Sequence, residues 1–261
     1  MIFDTHAHYM SHRFDDHRGA LLAGLPGRGV CGVLECATHS GDAANCIKLA
    51  EQYEWIYAAV GIHPESLIEA DTATVARYHG DWRAELDAIE PLLAHPKVVA
   101  VGEIGLDYHW PVPKDEQQAL FEAQLELAAA HGLPVSIHDR ETHGPMYDTL
   151  RRHRPKGVLH CYSGSADDAL WLTAQGLYLG FGGTLTFKNA RKTVEAAAVC
   201  PLDKLLLETD CPYMAPEPFR GKENNSALIR YVAQKLADIR GLPAEEILRI
   251  TEENARTLFN V

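Results

Sequence analysis

Residues Val98-Val-Ala-Val-Gly-Glu-Ile-Gly-Leu-Asp107 form the most informative segment of the sequence for the fold. It begins with four apolar residues in a row, and glycines and carboxylates follow where the apolar run ends. A continuous apolar run is typical of a strand that is buried on both faces of a parallel sheet. We therefore predict a strand over residues 97–103, with Glu103 at its carboxyl end.

Working outward from this stretch, similar apolar runs alternate with segments of helical periodicity along the whole chain. The other predicted strands cover residues 1–6, 28–36, 55–61, 133–138, 156–161, 177–182 and 204–209. The predicted helices cover residues 115–131, 165–175, 188–199, 225–240 and 244–258. Alternating strands and helices indicate a parallel sheet with right-handed crossovers, either a closed barrel or an open doubly wound sheet. Because no glycine-rich dinucleotide fingerprint follows the first strand, we predict an α/β fold of the TIM-type (β/α)8 barrel class.

Composition limits the classes of protein that the chain can represent. With 261 residues, 46% of them hydrophobic, it suits one barrel domain over residues 1–261. The net charge of -12 argues against broad adhesion to nucleic acid or anionic membrane, but a metal or a local basic patch can still attract a phosphate. Six cysteines without a CxxC pair, no signal-peptide pattern and no apolar run of ~18 residues predict a reduced cytoplasmic protein away from membranes, by default a monomer.

Metal-ligand side chains stand at the predicted carboxyl ends of the strands. His6 and His8 are two residues apart in a strand and so point to the same side. In a barrel all strands end at one face, which gathers six candidate ligands: His6, His8, Glu103, His138, His160 and Asp210. One catalytic metal takes about three protein ligands, so we predict two divalent ions per chain that share Glu103, with zinc, manganese, magnesium or iron open as the metal.

The alternative interpretation is structural for each residue taken singly. A histidine at a strand end is often a hydrogen-bonded core residue, and an aspartate there often caps a turn. Taken together, six buried polar groups at one end of a barrel without a metal would be costly in free energy. The joint pattern therefore favours metal binding.

The motifs resemble the TatD family of metal-dependent deoxyribonuclease-like hydrolases, within the amidohydrolase superfamily. The matching stretches are Asp4–His8, Gly61–Pro64, Gly102–Tyr108, Phe121–Leu127, Leu133–Arg140, His160–Gly164, Glu208–Asp210, Arg220–Lys222 and Thr251–Phe259. The resemblance implies that His6 and His8 bind one metal, that His138 and His160 bind the other, and that Glu103 bridges them. It implies that Asp210 ligates the first metal and handles the proton, which makes Asp210 and Glu103 the expected catalytic residues.

Some positions depart from the family pattern. Glu65 follows Pro64 where histidine is frequent, Cys211 follows Asp210 where alanine or serine is common, and the stretches 141–145 and 223–226 also differ. These changes spare the expected ligands and affect substrate preference. Many two-metal amidohydrolases use a carboxylated lysine where this chain has Glu103, so the glutamate favours the nuclease-like branch.

Substrate contacts are expected from residues on the loops that follow the strands. His63, Arg140, Lys188 and Arg220 could contact phosphate, or could instead hold loops or pair with acids. Aromatic residues on the same loops could stack on unpaired bases or pack over the site: Tyr108, Trp110, Tyr162, Phe187, Tyr213 and Phe219.

Three functions are compatible with these features. We predict a metal-dependent phosphodiesterase acting on DNA ends or single strands through a two-metal-activated water, with Asp210 as the proton acceptor. The alternative is a hydrolase of a small-molecule ester, amide or lactone with the same site. A non-enzymatic metal-binding or scaffold protein is disfavoured, because every expected ligand is present.

Overall fold

The computed structural model describes residues 1–261 and contains eight strands and ten α-helices. The strands are β1 (Ile2–Ala7), β2 (Val30–Cys36), β3 (Ile56–Val60), β4 (Val98–Asp107), β5 (Val135–Arg140), β6 (Gly157–Leu159), β7 (Tyr178–Phe181) and β8 (Leu205–Leu207). The helices are α1 (Arg18–Gly24), α2 (Ser40–Gln52), α3 (Ala73–Ala76), α4 (Trp82–Ile89), α5 (Lys114–His131), α6 (His143–His153), α7 (Ala166–Ala174), α8 (Arg191–Val199), α9 (Ile229–Arg240) and α10 (Ala244–Phe259). None of the helices has the length and apolar character that crossing a membrane requires.

The eight strands form one sheet in the order β1 to β8, with helices between them. This sequential order of parallel strands is that of the predicted TIM-type (β/α)8 barrel. All eight predicted strands are present. β4 is longer than expected and runs to Asp107, because Ile104 and Leu106 continue the buried pattern beyond Glu103. Helices α1 to α4 and α6 lie outside the predicted helical segments. α1 and α3 span only seven and four residues, which is too short for a clear helical period.

The chain divides into two compact units, and the single domain over residues 1–261 stays a prediction. One unit consists of Met1–Glu35 together with His160–Val261. In it β1 pairs with β2, and β7 pairs with β8, in parallel. A parallel bridge between Ala7 and Cys211 joins β1 to the segment after β8, and the backbone N–H of Asp210 donates to the carbonyl of His6 at 2.9 Å. The carboxyl end of β1 is therefore hydrogen-bonded to the segment that follows β8.

The other unit consists of Cys36–Leu159. Its parallel pairs run from β3 through β4 and β5 to β6. All ten residues of β4 are buried, as expected for a strand covered on both faces. β4 and β5 approach closely at Gly105, where an added Cβ would lie 2.0 Å from the carbonyl oxygen of His138. Only glycine fits this position, next to two residues that the sequence marks as ligands.

Helix α5 carries two fully buried glutamines on its core face, Gln117 and Gln124. The side chain of Gln124 accepts from the N–H of Ile62 at 2.7 Å and donates to its carbonyl at 3.0 Å. Gln117 makes the same pair of bonds to the backbone of Asp107, at 2.7 and 2.8 Å. A primary amide has both a donor and an acceptor, so each glutamine fixes the backbone at the end of one strand.

Candidate metal centre

The first cluster consists of His6, His8, His160 and Asp210, all in the unit that contains both chain ends. Nε2 of His6 lies 3.1 Å from Nε2 of His8, which lies 3.5 Å from Oδ1 of Asp210. Ligand atoms bound to one tetrahedral zinc ion at 2.0–2.1 Å stand about 3.4 Å apart. Both separations are close to the spacing of two ligands on a single ion.

His160 completes the first cluster from the segment that follows β6. Its ring stacks on that of His6 with centroids 3.8 Å apart and planes at 9°. His6, His160 and Asp210 each offer a ligand atom, and the three atoms lie within 4.8 Å of one another. The resemblance assigned His160 to the metal of His138, whereas here its ligand atom groups with those of His6 and Asp210.

The second cluster consists of His63, Glu103 and His138, all in the other unit. Nδ1 of His138 lies 2.9 Å from Oε1 of Glu103, again a separation suited to two ligands of one ion. Nε2 of His63 lies 3.6 Å from the same carboxylate oxygen. The backbone N–H of Glu103 donates to the carbonyl of Ala37 at 2.8 Å, which anchors the carboxylate-bearing segment.

His63 differs from the other histidines in how its ring is used. Its Nδ1 accepts the N–H of Glu65 at 3.1 Å, which caps the turn Pro64–Leu67. A neutral imidazole whose Nδ1 accepts carries its proton on Nε2. The ring therefore presents a donor next to Glu103, which suits contact with a substrate oxygen better than metal ligation.

Asp4 is a buried hydrogen-bond acceptor in the unit that holds the first cluster. Its buried carboxylate accepts from the N–H and the hydroxyl of Thr209, from the hydroxyl of Ser226 and from the N–H of His6. Burial raises the pKa of Asp4 to about 7, although these hydrogen bonds lower it. The carboxylate thus links the strand of His6 to the segment of Asp210.

Glu35, at the end of β2, is a second buried carboxylate that accepts hydrogen bonds from the backbone near a candidate ligand. It accepts the N–H of Tyr9 at 2.9 Å and the N–H of Met10 at 2.7 Å. These bonds fix the turn immediately after His8. Sequence reasoning missed the roles of Asp4 and Glu35, although a carboxylate inside an otherwise apolar strand was a usable signal.

Asp210 and Asp107 have pKa values below the usual range. Burial alone would raise the pKa of Asp210, but the hydrogen bond with His8 and the nearby histidines outweigh it. Burial likewise opposes ionisation of Asp107, and the hydrogen bond with His138 outweighs it. Both carboxyls are therefore ionised at neutral pH, which is the form that accepts a proton or a hydrogen bond.

Glu65, one of the departures from the family pattern, has the opposite shift. Burial, the neighbouring Glu69 and Asp107 raise the pKa of Glu65 to about 7. Its backbone N–H is the group that Nδ1 of His63 accepts. A carboxyl that is partly protonated at neutral pH can donate a hydrogen bond as well as accept one.

The expected substrate residues lie at the ends of the strands or on the loops that follow them, and Arg140 is the last residue of β5 and not a loop residue. Arg140 is half exposed, 3.9 Å from Oδ2 of Asp107, with its guanidinium 5.9 Å from the ring centroid of Trp110. Nζ of Lys114 lies 4.3 Å from the ring centroid of Tyr108. In the other unit, the guanidinium of Arg220 lies 4.3 Å from the ring centroid of Phe187, and Lys188 is exposed.

The aromatic side chains of these loops fall into two groups. Tyr162 is buried and donates its hydroxyl to the carbonyl of Ser165, so it packs and is not available for stacking. Tyr213 is 48% exposed and Trp110 is 40% exposed, which leaves ring surface open to a ligand. Cys211 is fully buried and burial raises the pKa of its thiol far above the usual value, so it acts as a small packing residue.

Comparison with known proteins places these features in one family. The family model described as TatD related DNase matches residues 3–260. The metal-dependent hydrolase YabD of Bacillus subtilis is 38% identical over 265 residues, with 100% of both chains covered. The protein of Erwinia tasmaniensis named 3′-5′ ssDNA/RNA exonuclease TatD is 31% identical over 271 residues, also with 100% of both chains covered.

A solved structure shows the same fold. The crystal structure of YjjV, a TatD homolog from Escherichia coli, superposes with a TM-score of 0.89 at 36% identity. The alignment covers 100% of this chain and 98% of that one. The predicted barrel class and the predicted family resemblance are both confirmed.

Proposed function

Because the chain belongs to the family of TatD related DNases, which are metal-dependent hydrolases, we propose that it is an exonuclease that shortens single-stranded nucleic acid from the 3′ end. The observation that carries the proposal is the convergence of Nε2 of His6, Nε2 of His8 and Oδ1 of Asp210 at 3.1 and 3.5 Å. The direction and the single-stranded substrate follow the names of relatives that match along the whole chain.

We propose two divalent ions per chain, one held by His6, His8 and Asp210 and one by His138 and His160, with Glu103 shared between them. Imidazole and carboxylate donors suit zinc or manganese. Bound divalent ions lower the pKa of a water molecule and offset the charge of a phosphodiester.

The protein's own groups supply the proton transfer and the orientation of the substrate. Asp210, ionised at neutral pH, accepts the proton of the attacking water and passes it to the leaving oxygen. His63 donates from Nε2 to a non-bridging phosphate oxygen. Arg140, Tyr108, Lys188 and Arg220 contact the rest of the strand through charge and ring surface.

The test is hydrolysis of a single-stranded oligonucleotide labelled at either end, with Mg²⁺, Mn²⁺ or Zn²⁺ and an Asp210→Asn variant as the control. A 5′-labelled strand should yield a ladder of shortened products, whereas a 3′-labelled strand should release its label in the first step. Both results should require metal and disappear in the variant. If protein that carries two ions cuts no strand with any metal, the nuclease proposal is wrong.

A hydrolase of a small ester, amide or lactone is the second candidate. The net charge of -12 favours it, because an excess of negative charge weakens attraction of a polyanion. Salt separates the two candidates: nuclease activity should fall as salt rises, because phosphate contacts release counterions, while hydrolysis of a neutral ester should not.

A further inference from the structure

Each expected ligand carboxylate has a second buried carboxylate close to it in sequence. Glu103 is followed by Asp107, and Asp210 is preceded by Glu208. Asp107 is 1% exposed and Glu208 is fully buried. Neither is needed to complete the proposed ligand sets, so burying the two carboxylates requires another reason.

Asp107 faces the ring of His138. Oδ2 of Asp107 lies 3.0 Å from Nε2 of His138, while Nδ1 of the same ring lies 2.9 Å from Glu103. The other oxygen of Asp107 accepts the N–H of His109 at 2.9 Å. The side chain of Gln117 binds both the backbone N–H and the carbonyl of Asp107. A carboxylate held in this way accepts a hydrogen bond only from a protonated nitrogen, so Asp107 favours a proton on Nε2. With an ion between Nδ1 and Glu103, Nδ1 would then supply its lone pair to that ion.

Glu208 lies on the Nδ1 side of the His160 ring, whereas Asp107 lies on the Nε2 side of the His138 ring. Its Oε1 accepts the N–H of Cys161 at 2.5 Å and lies 3.8 Å from Nδ1 of His160, which is an ion-pair distance and longer than a hydrogen bond. Room for this carboxylate depends on Gly180, where an added Cβ would lie 2.0 Å from Oε2 of Glu208. Nε2 of His160 is then the nitrogen directed away from the carboxylate.

We propose that Asp107 and Glu208 are positioning residues. Asp107 holds the proton on Nε2 of His138 through a hydrogen bond, and the nearby charge of Glu208 favours a proton on Nδ1 of His160, so that each ring presents its opposite nitrogen to a metal. Within each acidic pair, one carboxylate binds the ion and the other orients a histidine. Such orienting carboxylates stabilise the correct tautomer and increase the basicity of the ligand nitrogen. The inference rests on the proposed metal-dependent function.

The chain offers a matched control in Glu85. It is also a fully buried glutamate that accepts a single backbone N–H, that of Ser40 at 2.8 Å, and it faces neither cluster. Replacing Glu85 by glutamine therefore reproduces the change in burial and charge without touching a proposed ligand. Any effect on folding alone should appear in all three variants.

The first measurement is zinc affinity of metal-depleted protein, by competition with a chelating dye. In Asp107→Asn and in Glu208→Gln, one of the two binding steps should weaken about 10- to 100-fold, while Glu85→Gln binds as the unmodified protein does. Asp107→Glu, which restores a carboxylate, should recover part of the loss. Equal affinity in all variants would overturn the inference. Failure of the unmodified protein to bind two ions would instead overturn the proposed function.

The second measurement needs no variant and stands if a substitution prevents folding. In zinc-loaded protein labelled with ¹⁵N-histidine, long-range ¹H–¹⁵N spectra distinguish a protonated ring nitrogen from a metal-bound one. We expect His138 to be protonated at Nε2 and His160 at Nδ1. A proton on the opposite nitrogen of either ring would contradict the role of its carboxylate.

Discussion

The two clusters of candidate ligands are held by different chemistry. In the first cluster, the strand of His6 and the segment of Asp210 are joined through the carboxylate of Asp4, although more than 200 residues separate them in sequence. In the second cluster, the loops of His63 and Asp107 are fixed by neutral glutamines on α5. A carboxylate accepts several hydrogen bonds but is costly to bury, whereas an amide joins one backbone site at a lower cost.

This difference predicts which substitutions should destabilise the protein most. Removing Asp4 leaves several buried donors without an acceptor at once, whereas removing a glutamine leaves one donor and one acceptor unpaired. Removing Asp4, which anchors the first cluster, should therefore lower the stability of the protein more than removing one of the glutamines does. Four experiments test or refine this comparison.

The largest effect is expected from Glu103→Ala, which tests whether the clusters share a ligand. In the proposed role Glu103 bridges both ions, so its loss should remove metal and activity together and lower the rate of hydrolysis by roughly 10³-fold, several kcal/mol of transition-state stabilisation. Bound metal is counted by elemental analysis of dialysed protein. A variant that keeps two ions per chain would show that Glu103 does not bridge.

Asp4→Ala should destabilise the protein by about 3 kcal/mol, because the N–H and hydroxyl of Thr209 and the hydroxyl of Ser226 lose their common acceptor. Denaturant unfolding of metal-depleted protein measures it. Thr5→Val, which removes one bond from the same strand to the carbonyl of Leu207, is the control and should change stability by about 1 kcal/mol. Equal losses would mean that Asp4 is not the main anchor.

Gln124→Met should have a smaller effect of about 2 kcal/mol, since it leaves only the N–H and carbonyl of Ile62 unpaired. Because Ile62 precedes His63, we also expect KM to rise more than kcat falls. Gln118→Met, on the same helix but bonded to Glu122 and Thr149, is the matched control. A rise in KM in both variants would point to a general effect on α5.

Tyr213→Ala should have the smallest effect. If its exposed ring stacks on a base, KM for a single-stranded oligonucleotide should rise about fivefold or more, from about 1 kcal/mol of lost stacking. Leu170→Ala, an exposed apolar residue on α7, controls for loss of surface area. Unchanged kinetics would remove Tyr213 from the proposed path of the strand.

Much of the architecture followed from periodicity and strand-end residues. The apolar run of β4 and the spacing of His6 and His8 predicted a parallel barrel and a ligand pair, because side-chain direction in a strand alternates with period two. The short helix α3 and the polar-faced helix α6 were missed, since few apolar repeats mark them. The hydrogen-bond partners of Gln117 and Gln124 could not be predicted from the sequence, because only the packed structure shows which backbone groups a buried amide contacts.

The sequence by itself determined the fold class, the family and the candidate ligands, because these depend on residue type and spacing along the chain. Tertiary structure alone decided that Asp107 faces Nε2 of His138, that Glu208 faces Nδ1 of His160, and that His63 uses Nδ1 to cap a turn. It also decided that Tyr162 is buried while Tyr213 is exposed. Ring orientation and exposure depend on contacts between residues distant in sequence, which spacing along the chain does not encode.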